Sequence, residues 1–319
     1  MLNRRSYLSF LVAAAGLAGA AQGQVIIFST NDTDLRLASA ARVPSASETE
    51  VETADDFVLT TDTQLSGGKI MGLVAPGTPL SHIERVVVQI YRVFPLDSDT
   101  ARMPRVPSRA NSPSDTALKS FDSEDHGLTF IPSTSGISVT ALNSVVNGIN
   151  PLPNQTTNGE GPVAGDEVSI SFQLASPIDL PPGHYFLVPQ VHLKAGTFHW
   201  LSAPKPIVAP GTPFTGDLQA WVRSSRLSPD WLRIGTDIVG GTPAPTFNMV
   251  FFLKGTERCA ANCDDSTTPP ILNVLDFSCF LNQFAAGLPQ ANCDGSTTPP
   301  VLNVLDFGCF LNKFAAGCN

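Results

Sequence analysis

The sequence predicts a mainly β protein: a β-sandwich of jelly-roll type, followed by a small all-α unit of two loop–helix repeats. Three observations carry this expectation. Gly (25) and Pro (27) are plentiful while only 15% of the 319 residues are charged, a mix that favours a turn-rich β body over helices. Short β-branched or aromatic runs recur along residues 24–255, bounded by Gly, Pro, Asn or Asp. Residues 261–287 then return at 291–317 with only four of 27 positions changed, which marks a unit used twice.

Residues 1–23 read as a secretory signal. Arg4 and Arg5 supply the positive end, and Tyr7 to Ala20 is an apolar stretch short for a membrane span. Ala21-Gln22-Gly23 places small residues for cleavage before Gln24. No other segment reads as membrane-spanning, so the mature chain is expected to be secreted, extracellular or on the cell surface. Losing Arg4 and Arg5 takes the formal net charge from −9 to −11. So acidic a chain is a poor partner for nucleic acid or anionic lipid but is compatible with divalent cations.

The expected strands of the body are Gln24–Ser29, Ala54–Leu59, Lys69–Val74, Ile83–Phe94, Ile137–Thr140 and Glu167–Leu174, then His184–His192, Phe198–Ser202, Leu218–Arg223, Trp231–Ile234 and Phe247–Lys254. In Val168–Leu174 apolar and polar residues alternate, the mark of a half-buried strand. Pro181-Pro182-Gly183 reads as a turn into an antiparallel neighbour. Residues 97–136 and 147–166, rich in Ser, Pro, Asn, Asp and Gly, read as long surface loops, binding or disordered. With no long helical pattern among the strands, two packed sheets are the expected architecture.

The body offers little chemistry. It lacks Gly-x-Ser-x-Gly, His-Glu-x-x-His and a Gly-rich phosphate loop. His184 and His192 share a strand face but stand about 26 Å apart, too far for one metal. His199 beside Trp200 could join one of them, but the simpler reading is of strand histidines facing solvent or a sheet neighbour. Asp55-Asp56 and Asp166-Glu167 read as strand-entry carboxylates rather than a glycosidase pair. Trp200, Trp221 and Trp231, with Tyr185 and Phe198, could form a sugar platform, although aromatic residues of a sandwich more often pack in its core.

The repeats, within a unit spanning 259–319, say more. Phe307, Phe310, Leu311 and Phe314 follow i, i+3, i+4, i+7 spacing, one face of an amphipathic helix, and Gly317 reads as its stop. Phe277, Phe280, Leu281, Phe284 and Gly287 repeat this. Ahead of each helix stand oxygen-bearing residues: Asn262, Asp264, Ser266, Asn273 and Asp276, then Asn292, Asp294, Ser296, Asn303 and Asp306. An EF-hand-like calcium loop needs side-chain oxygens at alternate early positions, a mid-loop carbonyl, and a carboxylate at the first helical turn. Ile271 and Val301 would supply the carbonyl; Asp276 and Asp306 would close each loop.

Here the chain resembles a dockerin. Duplication, loop ligands, helix pattern, C-terminal placement and the Leu-Asn-Val-Leu-Asp-Phe run all agree, and the likeness is nearest to the cysteine-bearing GC-type dockerin of some exported bacterial proteins. The resemblance implies calcium binding and docking onto a cohesin-like protein or another cell-surface scaffold. Dockerin-bearing proteins commonly serve polysaccharide catabolism, so a carbohydrate-active body, a glycoside hydrolase or a polysaccharide binder, is the alternative to a non-catalytic one. The loops depart from the family. Each runs fifteen residues from its first Asn to its closing Asp, through a Thr-Pro-Pro insertion, with Thr where about position six of twelve is usually Gly. Two carboxylates among each loop's candidate ligands imply weak calcium binding; a metal-free pair of disulfide-held helices, with polar cap and turn formers, is the other reading.

All six cysteines lie between Cys259 and Cys318, as expected of a disulfide framework in an exported unit. Cys263 and Cys279, like Cys293 and Cys309, stand where dockerins carry packed apolar residues. That placement suggests Cys263–Cys279, Cys293–Cys309 and a clasp Cys259–Cys318, one of many connectivities six cysteines allow. Zinc is a poor rival without Cys-x-x-Cys or a nearby His. In dockerins the pair before the closing carboxylate contacts the cohesin. Here it is Val274-Leu275 and Val304-Leu305, either a docking surface or core at the helix start, with Leu275 and Leu305 read as core.

Overall fold

A computed structural model describes residues 25–317 apart from 31, 46–47, 60, 148, 150–155, 205–218, 260, 267 and 297–298. The signal-peptide expectation therefore lies outside the described residues, as does the Cys318 end of the expected clasp. The body occupies the compact unit Gln24–Cys259, and the repeats belong to a separate unit containing Ala260–Asn319. No helix among the described residues is long and apolar enough to cross a membrane.

The body is two β-sheets packed as a sandwich. In the larger, β1 (Val25–Ser29), β15 (Phe251–Glu257), β4 (Thr63–Val74), β11 (His199–Ala203), β2 (Ala38–Ala40) and β8 (Ser144–Val145) lie in that order. β9 (Val163–Leu180) pairs β4 and β7 (Leu128–Ala141), and β14 (Asn248–Met249) pairs β11. The smaller sheet runs β13 (Leu232–Arg233), β12 (Trp221–Ser224), β3 (Val51–Leu59), β10 (Gly183–Leu193), β5 (Ile83–Arg92) and β6 (Lys119–Asp122).

Period-2 alternation places Ile70, Ile170, Phe172, Phe251 and Leu253 inward. Across the gap they meet Phe57, Leu187 and Tyr185. Aromatic rings bridge the layers: Phe57 packs edge-on against Phe251 at 6.4 Å, and Phe251 in turn meets Trp200 at 5.8 Å. Glycine makes one close approach possible, since a Cβ on Gly72 would lie 2.4 Å from the Phe198 ring.

Several expectations need correction. Residues 97–136 are not all loop: 119–122 form β6 and 128–136 the first part of β7. Similarly 163–166 begin β9. Ile137–Thr140 is a strand as expected, the second part of β7; the first part reads as loop because β7 pairs only with β9 among the described residues and much of it is solvated on both faces, so its Ser/Thr/Gly/Pro composition mimics a loop. Pro181-Pro182 does not join hydrogen-bonded neighbours. It carries the chain from β9 in one sheet to β10 in the other. The expected strand Phe247–Lys254 is split at Val250, where Asn248–Met249 serves β11 and Phe251 onward serves β1 and β4.

The 97–118 segment is tied down by charge. Arg102 bridges Asp230 at 2.6 Å and Asp115 at 3.1 Å, Arg109 holds Asp115 at 2.6 Å, and Arg105 caps the Leu227 and Ser228 carbonyls at 2.6 Å. Beneath it, on the outer face of the smaller sheet, a second core joins Tyr91, Phe186, Trp221 and Trp231. Arg223 is buried there, its guanidinium 4.1 Å from the Trp231 ring centroid, paired with buried Glu52 and donating to the Tyr91 hydroxyl at 2.8 Å.

In the small unit, α1 (Val274–Ala285) and α2 (Val304–Ala316) pack through Phe280 and Phe310, whose rings stack at 4.3 Å. Each helix begins earlier than the closing Asp, because Asn273 and Asn303 cap it: their side chains accept from the Leu275 and Leu305 amides at 2.8 Å. Gly287 and Gly317 follow the helices at φ 68° and 83°, a region that favours glycine. The half-buried stripe is narrower than expected, for Leu281 and Leu311 are exposed; a two-helix pair has no third layer to cover them.

Removing one member of the buried ion pair strands the other. Arg223→Leu is expected to cost about 3–5 kcal/mol by leaving Glu52 uncompensated, read as a lower urea midpoint. The double change with Glu52→Leu should recover much of the loss; no recovery would mean that packing on Trp231, not charge, dominates.

Candidate functional site

Each repeat loop is assembled around its closing carboxylate. Asp276 is fully buried. Its Oδ2 accepts from the Asn273 amide at 2.8 Å, completing a capping box, and its Oδ1 accepts from the Asp264 amide at 3.3 Å. One side chain thus holds both ends of the loop. The Ser266 amide donates to Asp264 Oδ1 at 3.0 Å and to Asn262 Oδ1 at 3.1 Å, and its hydroxyl donates to the Ile271 carbonyl at 3.0 Å. The second copy repeats the plan: Asp306 accepts from Asn303 and Asp294 at 2.8 and 3.2 Å, Ser296 donates to Asp294 at 2.9 Å, and its hydroxyl reaches the Val301 carbonyl at 3.0 Å.

Five of the six expected ligands in each copy therefore share one hydrogen-bonded loop. Asn273 and Asn303 do not join them: their carboxamides are committed to the helix caps and donate to Pro270 and Pro300 at 3.3 and 3.1 Å. The Asn-x-x-Asp spacing carried that signal, since it is a capping box as readily as a ligand pair.

The donor set suits a hard cation. All candidate donors are oxygens, and among the described residues no basic side chain pairs with Asp264, Asp276, Asp294 or Asp306. The Ser266 amide holds the Asp264 carboxyl below its ordinary range, and the Ser296 amide does the same for Asp294, so both are ionised at neutral pH. Asn292 Oδ1 is buried with no hydrogen-bond partner among the described residues, an acceptor that a cation could use. Among the described residues no three His, Cys, Asp or Glu side chains gather into a metal site. Neutral oxygens would have to complete the shell, which keeps affinity low.

Two disulfides fasten the loops to the helices: Cys263–Cys279 and Cys293–Cys309, with Cα separations of 5.7 and 5.8 Å. Each spans 16 residues and is worth about 3 kcal/mol in the chain-entropy picture. The apolar pair ahead of each closing Asp is not core. Val274 is 73% and Leu275 60% exposed; Val304 is 77% and Leu305 64%. The Asn cap fixes the helix phase, so positions one and two face solvent while the Asp at position three and the Phe four residues beyond it turn inward.

In the body, the strand-entry reading of Asp55-Asp56 is wrong: both are buried in the middle of β3. Asp55 Oδ2 accepts from the Met249 amide at 2.7 Å, while Oδ1 has no partner. Burial, then the neighbouring Asp56 charge, pushes the Asp55 carboxyl well above its ordinary value. Asp56 lies 2.8 Å from His184 Nε2 across the β3–β10 pair. His192 sits at the other end of β10 near Glu84, at 3.8 Å. His199 is lowered by burial and by Arg42. Asp166, on β9, is half-buried and accepts from the Gly77 amide at 2.7 Å. Trp200, Trp221, Trp231, Tyr185 and Phe198 are all buried, so none presents a ring face for a sugar.

Set against known protein families, characterised proteins and solved structures, the chain matches none.

A carboxyl raised in the folded state favours folding at low pH and loses that contribution as pH rises through its elevated value. Asp55→Asn is therefore expected to stabilise the protein by roughly 1 kcal/mol or more near neutral pH. The gain should vanish toward the ordinary value of 3.8. Urea midpoints across pH check this; a pH-independent difference would remove the titration.

For the repeats, Cys263→Ala with Cys279→Ala should destabilise the small unit by about 3 kcal/mol. Hydrogen exchange of α1 and α2 in the mature chain should show added calcium slowing their opening, by more in this variant than with both bridges intact. Exchange unmoved by calcium in either form would remove the metal.

Proposed function

We propose that this is an exported, non-catalytic β-sandwich protein attached through a dockerin-like C-terminal unit to a cohesin-like or other cell-surface partner. The unit binds calcium weakly and is reinforced by its disulfides. One observation carries the reading. Both copies expose an identical Val-Leu pair at the start of the helix, at the place where dockerins contact their cohesin, and side chains this apolar are costly to leave in water. Two further observations support it. The candidate ligand oxygens gather ahead of that pair, and two disulfides suit an oxidising compartment outside the cytosol. When bound, calcium would neutralise the loop carboxylates and hold the loops that present the two helices. The sandwich is assigned no reaction, because Asp55, Asp56 and the aromatic candidates are committed to the core and Asp166 is engaged by the Gly77 amide and the Ser138 hydroxyl.

A capture experiment tests this. The mature chain, immobilised, should retain a partner from the cell-envelope fraction of its own source. Leu275→Asp with Leu305→Asp should weaken capture about tenfold or more, as for loss of central apolar anchors. Equal capture by the variant, or none by the wild type, would overturn the docking assignment.

A further inference from the structure

The two sheets differ in what covers their outer faces. That of the smaller sheet lies under the second core, joined by Val93 and Ala117 of the segment that Arg102 and Arg109 anchor. The larger sheet has its own outer cluster around Leu73, Ala141 and Leu201, but beside it, from Ile131 to Phe252, the outer face is exposed or half-buried. Its rows follow from the register. Ile131, Ser171, Lys69 and Phe252 form one row across four strands. Ser133, Ser169 and Met71 form the next, and Thr129, Gln173, Gly67, Lys254 and Ile26 the row on the other side.

On this solvated part of the face the Phe252 ring holds two ammonium groups. Lys69 Nζ lies 5.4 Å from its centroid and Lys254 Nζ 5.6 Å, so the two charges are no more than about 11 Å apart. Among the described residues neither lysine is in an ion pair. Glu167 shares this outward side of β9, but four residues beyond Ser171, about 13 Å along the strand. A chain of formal charge −9 thus concentrates two uncompensated cations on an open surface. Around them stand sugar-type hydrogen-bonding groups: the Ser133 and Ser169 hydroxyls, 2.9 Å apart, with Ser171, Thr129 and the Gln173 amide.

We infer that this face binds an anionic polysaccharide, with Lys69 and Lys254 pairing its acidic groups and the Ser/Thr/Gln rows meeting its hydroxyls. The rows run across four strands, a span that suits an extended polymer. A Debye length of about 8 Å at physiological salt keeps the acids elsewhere on the sandwich from cancelling a contact made at the two lysines. This site is on the sandwich and does not rest on the docking reading of the C-terminal unit.

Affinity electrophoresis of the mature chain tests it, with polygalacturonate as probe and its fully methyl-esterified, uncharged form as control. Retardation is expected in the acidic polymer only, and 1 M salt should abolish it. Lys69→Gln with Lys254→Gln should weaken retardation about tenfold, and Phe252→Ala should weaken it too by releasing both ammoniums. Lys119→Gln with Lys194→Gln makes the same change in net charge on the other sheet and should leave retardation unchanged. All positions are at least partly exposed, and an unchanged thermal midpoint verifies folding. No retardation, equal retardation by the esterified polymer, or an equal loss in the Lys119/Lys194 variant overturns the inference. Binding to anionic phospholipid vesicles without binding to polygalacturonate overturns it as well.

Discussion

Phe57, Trp200 and Phe251 fill the gap between the two sheets, and the body depends on that contact because its strands carry no disulfide. Burying a large aromatic side chain contributes a few kcal/mol, and ring-to-ring geometry adds about 0.5–1.5 kcal/mol beyond area. The contact also has long-range consequences. Phe57 projects from β3 and Phe251 from β15, at opposite ends of the body sequence, so closing this layer ties the first strands to the last. The Asp55 carboxylate, beside Phe57 on the same strand, is carried into the interior by that closure and tolerated through its bond from the Met249 amide.

The small unit solves the opposite problem. Its core is little more than the stacked Phe280 and Phe310 with the rings around them. So thin a core cannot offset the entropy of ordering about sixty residues. Disulfides, capping boxes and the doubly used Asp276 and Asp306 replace core volume with cross-links. These devices also preform the oxygen-rich loops and hold the Val-Leu pairs outward, so stability and presentation of the surface have one cause.

The two proposed surfaces are chemically complementary. The helix starts offer bare apolar side chains, suited to a protein partner; the open sheet face offers paired cations among hydroxyls, suited to an acidic polymer. A protein with both proposed surfaces would join a scaffold to a polysaccharide matrix.

Much of this was legible in the residues themselves. Alternation such as Val168–Leu174, the Phe spacing of the repeats and the doubled cysteine pattern are local signals, and local signals determine element type. What the sequence alone could not decide was which side each element turns to solvent. The first part of β7 reads as loop because a strand solvated on both faces has no apolar period, and Pro181-Pro182 reads as a hairpin because a turn between paired strands and one between sheets use the same residues. Leu275 and Leu305 read as core until the Asn caps set the helix phase, and the tryptophans could have been a platform until two sheets closed over them. Phe252, Lys69 and Lys254 are far apart in the chain or alternate within it, and only strand register brings them together. Periodicity is a property of neighbours along the chain, whereas exposure depends on what else packs against it.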